Sequence, residues 1–342
     1  MKRFALAAAA LWMGLAACGA AAADKITAVM STHGFVYLPA LVADTMGYYK
    51  GQGLDVQITT TGGESKSLAA LVGGGAEIYV GSPSTAFRAR AGGTDPVVIG
   101  ATISQYASNL VISGDWAKTH GITDASSYED RLKALKGATI AITAPGSGTD
   151  LVVRFLAKQA GLNPDRDMTI TALGTADAMT AALVQGRVNG FTLSAPAAEN
   201  AVKNHNGTML FNFTKGQVKQ LDGFLYIGLV ARESWAKANP DVTVRFLRAH
   251  QQALDAIHDP KLTLAARDAV WKKYHSKTDK AFFDYVWEET EPAFPKSVAV
   301  DATAIERVAA FVNEFERQPL DPAAVRGGWT DEYARKAVAG AK

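Results

Sequence analysis

Hydroxyl-bearing side chains crowd the ends of two apolar runs in this chain. "AEIYVGSPSTAF" carries Ser82, Ser84 and Thr85 directly after a run that reads as a buried strand, and "VNGFTLSAPAA" carries Ser194 in the matching place of a later run. Ser-Pro commonly opens turns, so each cluster admits a purely local reading. The other reading is chemical: backbone N–H groups at a helix start, together with hydroxyls, hold an anion or polar group without a cationic side chain. More residues of this kind stand in comparable places. Ser31, His33, Phe35 and Tyr37 follow one apolar run, Gly62 and Gly63 another, and Ser147 and Thr149 lie in "PGSGTD". None of "STHGF", "GSPST", "PGSGT" or "LSAPA" contains Lys or Arg. The ligand expected there is a small organic acid, sulfonate or heteroaromatic.

Catalytic chemistry finds less support. "PGSGT" lacks the lysine of a phosphate loop and does not form G-x-S-x-G. None of the six histidines sits in an H-E-x-x-H or paired-cysteine pattern, so no metal or cofactor is expected. His33 approaching Ser147 across a cleft keeps a hydrolase or transferase as the alternative, since a serine nucleophile needs a histidine and a carboxylate nearby. His33 also reads as a surface or turn residue, Phe87 as packing under its own helix, and Glu199 as a helix cap or a solvent-facing residue. His250 and His258 read as structural.

The elements that position these residues form a repeat. Leu71, Val72, Gly74, Ser82 and Ala86 recur as Leu183, Val184, Gly186, Ser194 and Ala198, with Tyr79 matched to Phe191, at an offset of 183 minus 71, or 112. The first copy reads strand (Ile26 to Met30), helix ("LPALVADTMGYYK", with Pro39 in its first turn), strand ("GLDVQITT"), helix ("GGESKSLAALVGG"), strand ("AEIYVG"). The second reads strand (Thr139 to Thr143), helix ("TDLVVRFLAKQAG"), strand ("MTITALG"), helix ("TADAMTAALVQG", capped by Thr175 or Asp177), strand ("VNGFTLSAP"). This order predicts two parallel, helix-covered sheets. In such sheets ligands bind beyond the carboxyl ends of the strands, where all the polar clusters fall.

Several stretches resemble the nitrate/sulfonate/taurine and thiamine-pyrimidine-precursor periplasmic binding proteins of ABC importers. They are "LPALVADTMGYYKGQGLDVQ", "SLAALVGGGAEIYVGSPS", "LKGATIAI", "GSGTD", "AALVQGRVNGFTLSAP" and "VARESWAKANPDVTVRFLRAHQQAL". The resemblance implies an α/β type II periplasmic binding protein fold, with two lobes, a hinge and a ligand cleft. It also implies a membrane ABC permease as partner, or a receptor if the role is sensing. Lobe one is expected over residues 24–110 and lobe two over 111–223. Residues 224–342 would return to lobe one, with the crossings at "SNLVIS" and "FLYIGLVA". The stretch "GDWAKTHGITDASSYEDRLKALKG" is longer than the family's usual link, and Asn189, Gly190 and Ala195 replace its acidic-aromatic strand end.

The N-terminus reads as an export signal over residues 1–23: Lys2 and Arg3 precede a short apolar core, and "AAAD" offers small residues before Asp24. "LAAC" alternatively reads as a lipobox, with Cys18 lipidated. Either version places the protein in the periplasm, soluble or lipid-anchored. Cys18 is the only cysteine, so the remaining chain contains no disulfide. Removing Lys2 and Arg3 from 35 basic residues leaves 33 against 33 acidic ones. A nucleic-acid partner needs a basic face, which this balance does not supply. The protein is expected to act as a monomer.

Overall fold

The computed structural model describes residues 23–315 and 319–339. The expected signal core and Cys18 lie outside the described residues. Ten strands build two five-stranded sheets. The first contains β1 (Asp24–Met30), β2 (Leu54–Thr60), β3 (Ile78–Gly81), β4 (Pro96–Gln105) and, much later in the chain, β10 (Asp222–Arg232), in the order β2-β1-β3-β10-β4. The second contains β5 (Ser108–Ser113), β6 (Thr139–Ile142), β7 (Thr169–Ala172), β8 (Gly190–Ser194) and β9 (Gly207–Phe211), in the order β7-β6-β8-β5-β9. The first three strands of each copy pair in parallel, and β10 and β5 run antiparallel beside β3 and β8.

The repeat holds at the level of register. Thr27 pairs with Gln57, Ala28 with Ile78 and Val29 with Tyr79; Thr139 pairs with Thr169, Ile140 with Gly190 and Ala141 with Phe191. Each partner of the second set is 112 residues after its counterpart. A side-chain clamp repeats too. The Thr27 N–H donates to the Glu77 carboxylate at 2.8 Å, and the Thr139 N–H donates to Asn189 Oδ1 at 2.8 Å. The copies also exchange their last strands: β5 follows the first copy but joins the second sheet, and β10 follows the second but joins the first.

These pairings move the expected crossings. "SNLVIS" is β5 and lies wholly in the second sheet, while "FLYIGLVA" lies in β10 of the first. The chain passes between sheets at Tyr106 and Ala107, and again between β9 and β10. The expected helix "LPALVADTMGYYK" breaks in two, Leu38–Thr45 and Tyr48–Gly51, because Gly47 takes a left-handed φ of 73° that few other residues tolerate.

Burial follows the layers. One apolar cluster joins Met30, Phe35, Leu38 and Leu41 to Phe246 and Leu254 of the Pro240–His258 helix, and to Phe283 and Trp287. A second runs through both lobes, and its Tyr106, Phe213, Phe224 and Phe311 rings pack with centroids 5.3–6.0 Å apart behind the crossing. A third, around Met179 and Phe191, belongs to lobe two alone. Phe87 is fully buried in the second cluster, under its own helix. With their backs fixed, the lobes leave the carboxyl ends of β1, β3, β6 and β8 facing one cleft.

Candidate functional site

A cavity of about 380 Å³ occupies that cleft. Lobe one contributes Ser31, Thr32, Gly34, Val36, Tyr37, Gly62, Gly63, Glu64 and Ser82 to its wall. Lobe two contributes Ser108, the loop-and-helix starts at Thr143, Ser147–Thr149 and Gly174–Ala176, and Leu193–Ala197. Tyr226 and Ile227 of β10 close the floor. Pockets of this kind are mostly apolar with a few placed polar groups; here hydroxyls supply most of the polar ones. Glu64 is the only charged side chain on the wall among the described residues.

In lobe two the hydroxyls form a network at the start of the Gly148–Gln159 helix. Ser147 caps this helix, accepting from the Asp150 N–H, and donates its own hydroxyl to the Ala144 carbonyl at 2.7 Å. Thr143 Oγ1 lies 2.9 Å from Ser147 Oγ and 2.8 Å from Thr149 Oγ1, and the Thr143 N–H donates to Thr149 Oγ1. Thr175 is the cap of the Ala176–Val184 helix, which decides between the two expected caps, Thr175 and Asp177. Ser194 ends β8, and its hydroxyl has no protein partner among the described residues. At the crossing, the Tyr106 hydroxyl donates to the Gly148 carbonyl, and Ser108 and Tyr226 share a short hydroxyl–hydroxyl bond.

Lobe one is wired differently. The Ser31 and Tyr37 hydroxyls share a bond of 2.6 Å. The Ser82 N–H, which precedes the Pro83–Ala91 helix, donates to Glu64 Oε1 at 2.9 Å, and the Tyr79 hydroxyl donates to the same oxygen at 3.0 Å. A carboxylate of the protein therefore occupies the helix start where a ligand was expected. Glycine is required at position 81, because a Cβ there would lie 2.0 Å from the Tyr79 ring that folds back to reach Glu64. Burial pushes the Glu64 carboxyl above the ordinary glutamate range, against the lowering effect of its two hydrogen bonds and of Arg88.

Of the twelve residues expected at the site, Ser31, Tyr37, Gly62, Gly63, Ser82, Ser147, Thr149 and Ser194 line the cavity. His33, Phe35, Ser84 and Thr85 do not. Phe35 is fully buried 4.9 Å from the Phe283 ring, and the His33 ring packs 4.7 Å from Tyr274 while its carbonyl faces His275 Nε2. The cause is the tight 3-10 turn Phe35–Tyr37, which sends Val36 and Tyr37 inward and Phe35 into the lobe core. Ser84 is the second residue of its helix, and its hydroxyl shares a hydrogen bond with Ser82 Oγ at 2.8 Å. His33 thus packs on Tyr274, whereas Ser147 lines the cavity. Glu199, read as a cap or solvent-facing residue, is 2% exposed and accepts from Asn109 Nδ2 at 2.8 Å. His250 is fully buried and His258 partly buried.

The sequence reading missed Glu64, Ser108, Thr143 and Tyr226. Glu64 looks like any acidic residue in a first helical turn, although its place beside Gly62 and Gly63 at a strand's carboxyl end was a usable signal. Ser108 and Tyr226 arrive from crossing strands, which only the three-dimensional pairing reveals.

Two lobes of matching topology, exchanged strands and a cleft of helix starts define the type II periplasmic binding protein architecture. Solved structures share it. The periplasmic aliphatic sulphonate binding protein SsuA from Escherichia coli superposes with a TM-score of 0.70 at 16% identity, over 91% of this chain and 99% of that one. The periplasmic nitrate-binding protein NrtA from Synechocystis PCC 6803 gives 0.74 at 14% identity, over 93% and 89%. In sequence, YtlA of Bacillus subtilis strain 168 is 25% identical over 309 residues, 84% of this chain and 88% of that protein. The NMT1-like family matches residues 33–270, and the chain belongs to that family.

Proposed function

We propose that this protein is the solute-binding component of an ABC importer, which takes a small organic molecule into the cleft and presents the closed form to a membrane permease. A periplasmic location follows from that role. One observation carries the reading: a single cavity walled by hydroxyls and helix starts from both lobes, so that a ligand bound there couples the lobes. The ligands for which the similar proteins are named, aliphatic sulphonates and nitrate, are small anions or acids, which agrees with helix starts as donors in lobe two. The placement of His33 against Tyr274, outside the cavity, favours binding over serine hydrolysis.

The test is calorimetric titration against panels of sulfonates, aromatic carboxylates and pyrimidines, repeated with Ser194→Ala. Loss of one neutral hydrogen bond of about 0.5–1.5 kcal/mol should weaken the bound member roughly two- to tenfold. The melting temperature without ligand should stay at wild type, because the Ser194 hydroxyl has no protein partner among the described residues. Ser82→Ala should have the smaller effect, since its N–H and hydroxyl are already engaged by Glu64 and Ser84. Wild-type affinity in Ser194→Ala, with equal loss of melting temperature in the presence and absence of ligand, would refute the role of Ser194.

A further inference from the structure

The two cavity walls are related by the repeat, yet only one of them carries an ionisable acid. Gly62 and Gly63 correspond at the offset of 112 to Gly174 and Thr175, and Glu64 corresponds to Ala176; all six line the cavity. Lobe two thus presents helix starts with a methyl group at this point. Lobe one presents a carboxylate. Both hydrogen bonds to Glu64 fall on Oε1, from the Ser82 N–H and the Tyr79 hydroxyl, and Arg88 is close enough to favour its ionised form. Oε2 has no hydrogen-bond partner among the described residues. An ionised carboxylate has about four acceptor sites, so half of this one's capacity is left to the cavity.

The energetic consequence is one-sided. A sulfonate or carboxylate set against Glu64 meets a like charge in a confined, partly desolvated space, which is strongly unfavourable. An ammonium, amidine or aminoheterocycle N–H set there gains a charge-assisted hydrogen bond to the oxygen that those two bonds leave free. The opposite wall has the reverse preference, because the helix starts at Ser147 and Thr175 favour an acceptor or an anion.

We infer that Glu64 is a specificity-determining residue of the cleft, selecting ligands that bear an N–H donor at the end facing lobe one and an acceptor or acid group at the end facing lobe two. This rests on the solute-binding reading above and narrows its ligand class. Simple alkyl acids that lack an amine are excluded by it, and amino acids, aminosulfonates and amino-substituted heteroaromatics are admitted.

Matched probe pairs test this: 3-aminopropanesulfonate against propanesulfonate, 4-aminobutyrate against butyrate, and 4-aminopyrimidine against pyrimidine. They are titrated alongside a wider library of acids and heteroaromatics sorted by the presence of an N–H. The amino member of a pair that binds should be at least about tenfold tighter. Glu64→Ala should abolish that preference. Glu64→Gln keeps an acceptor for the Ser82 N–H and the Tyr79 hydroxyl, which guards against misfolding. It should retain a neutral aminopyrimidine better than an ammonium compound. Binders without an N–H, or a preference that survives in Glu64→Ala, overturn the inference alone. A library without a single binder overturns the solute-binding reading and this inference with it.

Discussion

Replacing Arg131 by methionine is expected to cost the fold about 3–5 kcal/mol, because it removes five charge-assisted hydrogen bonds to backbone carbonyls. The guanidinium is 6% exposed and donates to five backbone carbonyls. Its Nε reaches Ser126, one terminal nitrogen reaches Met209 and Leu210, and the other reaches Thr123 and Asp124, all at 2.8–3.1 Å. One planar fork thereby ties the loop at residues 123–126 to β9, the outer strand of the second sheet. Methionine fills similar space but removes these donors; the Thr123 carbonyl keeps the Ser126 N–H at 3.1 Å, and each buried carbonyl left without a donor costs about 1–3 kcal/mol. Arg131→Lys restores the charge without the fork geometry and should recover only part of the loss. Urea unfolding of the three proteins measures the effect. A change within about 0.5 kcal/mol for the methionine variant would mean that the loop is held by other contacts.

The second large effect is a loss of stability in acid that traces to His250. Its ring is fully buried in the Pro240–His258 helix, with Nδ1 3.2 Å from the Phe246 carbonyl and Nε2 3.3 Å from the Tyr49 hydroxyl. These contacts suit the neutral tautomer that donates from Nδ1 and accepts at Nε2. Burial lowers the pKa from 6.5 to about 4, overcoming the raising effect of the Phe246 carbonyl. The folded value lies below the unfolded one, so the contribution is fully present above pH 6.5. It is lost as pH falls towards 4. The difference corresponds to about 3 kcal/mol, at roughly 1.4 kcal/mol for each pH unit. Unfolding free energies of wild type and His250→Gln across this window should converge as pH falls. His33 and His275 are also shifted down by burial, and they cancel in the comparison because both proteins contain them. A constant difference between the two curves from pH 7 to pH 4 would rule out His250 as the source.

Much of the fold was legible because the duplication preserves strand spacing, and the spacing sets the register. Gly74 and Gly186, Ser82 and Ser194, and Tyr79 and Phe191 occupy equivalent places, so a linear comparison located three strands and two helices of each lobe. The wall of the cleft was legible only where a residue's role is local. Ser147 and Thr175 act within their own helix turns, and a capping pattern announces them. Phe35 was misplaced because the ring that claims it, Phe283, lies almost 250 residues along the chain. Glu64 escaped notice because its partners, Tyr79 and Ser82, are 15 and 18 residues away, in and just after the strand that follows its helix. Sequence patterning reports period and local propensity; it does not report which distant group fills a helix start.

The exchanged strands also bear on the order in which the chain becomes structured during synthesis. Residues 108–211 contain every strand of the second sheet, so lobe two can complete its hydrogen bonding as soon as that segment is free. The first sheet must wait. β4 sits at its edge with β10 as its sole strand neighbour, and β10 begins 222 minus 105, or 117, residues after β4 ends. Until then eight of β4's ten residues, buried in the finished protein, have no sheet to enter. Chains truncated just before Asp222 should show protected amides in β6 and β8 by hydrogen exchange, while β4 exchanges freely and exposes Val97 to Ile103 as an unpaired apolar edge. The segment most in need of shielding in a nascent chain is therefore one of the first to be made.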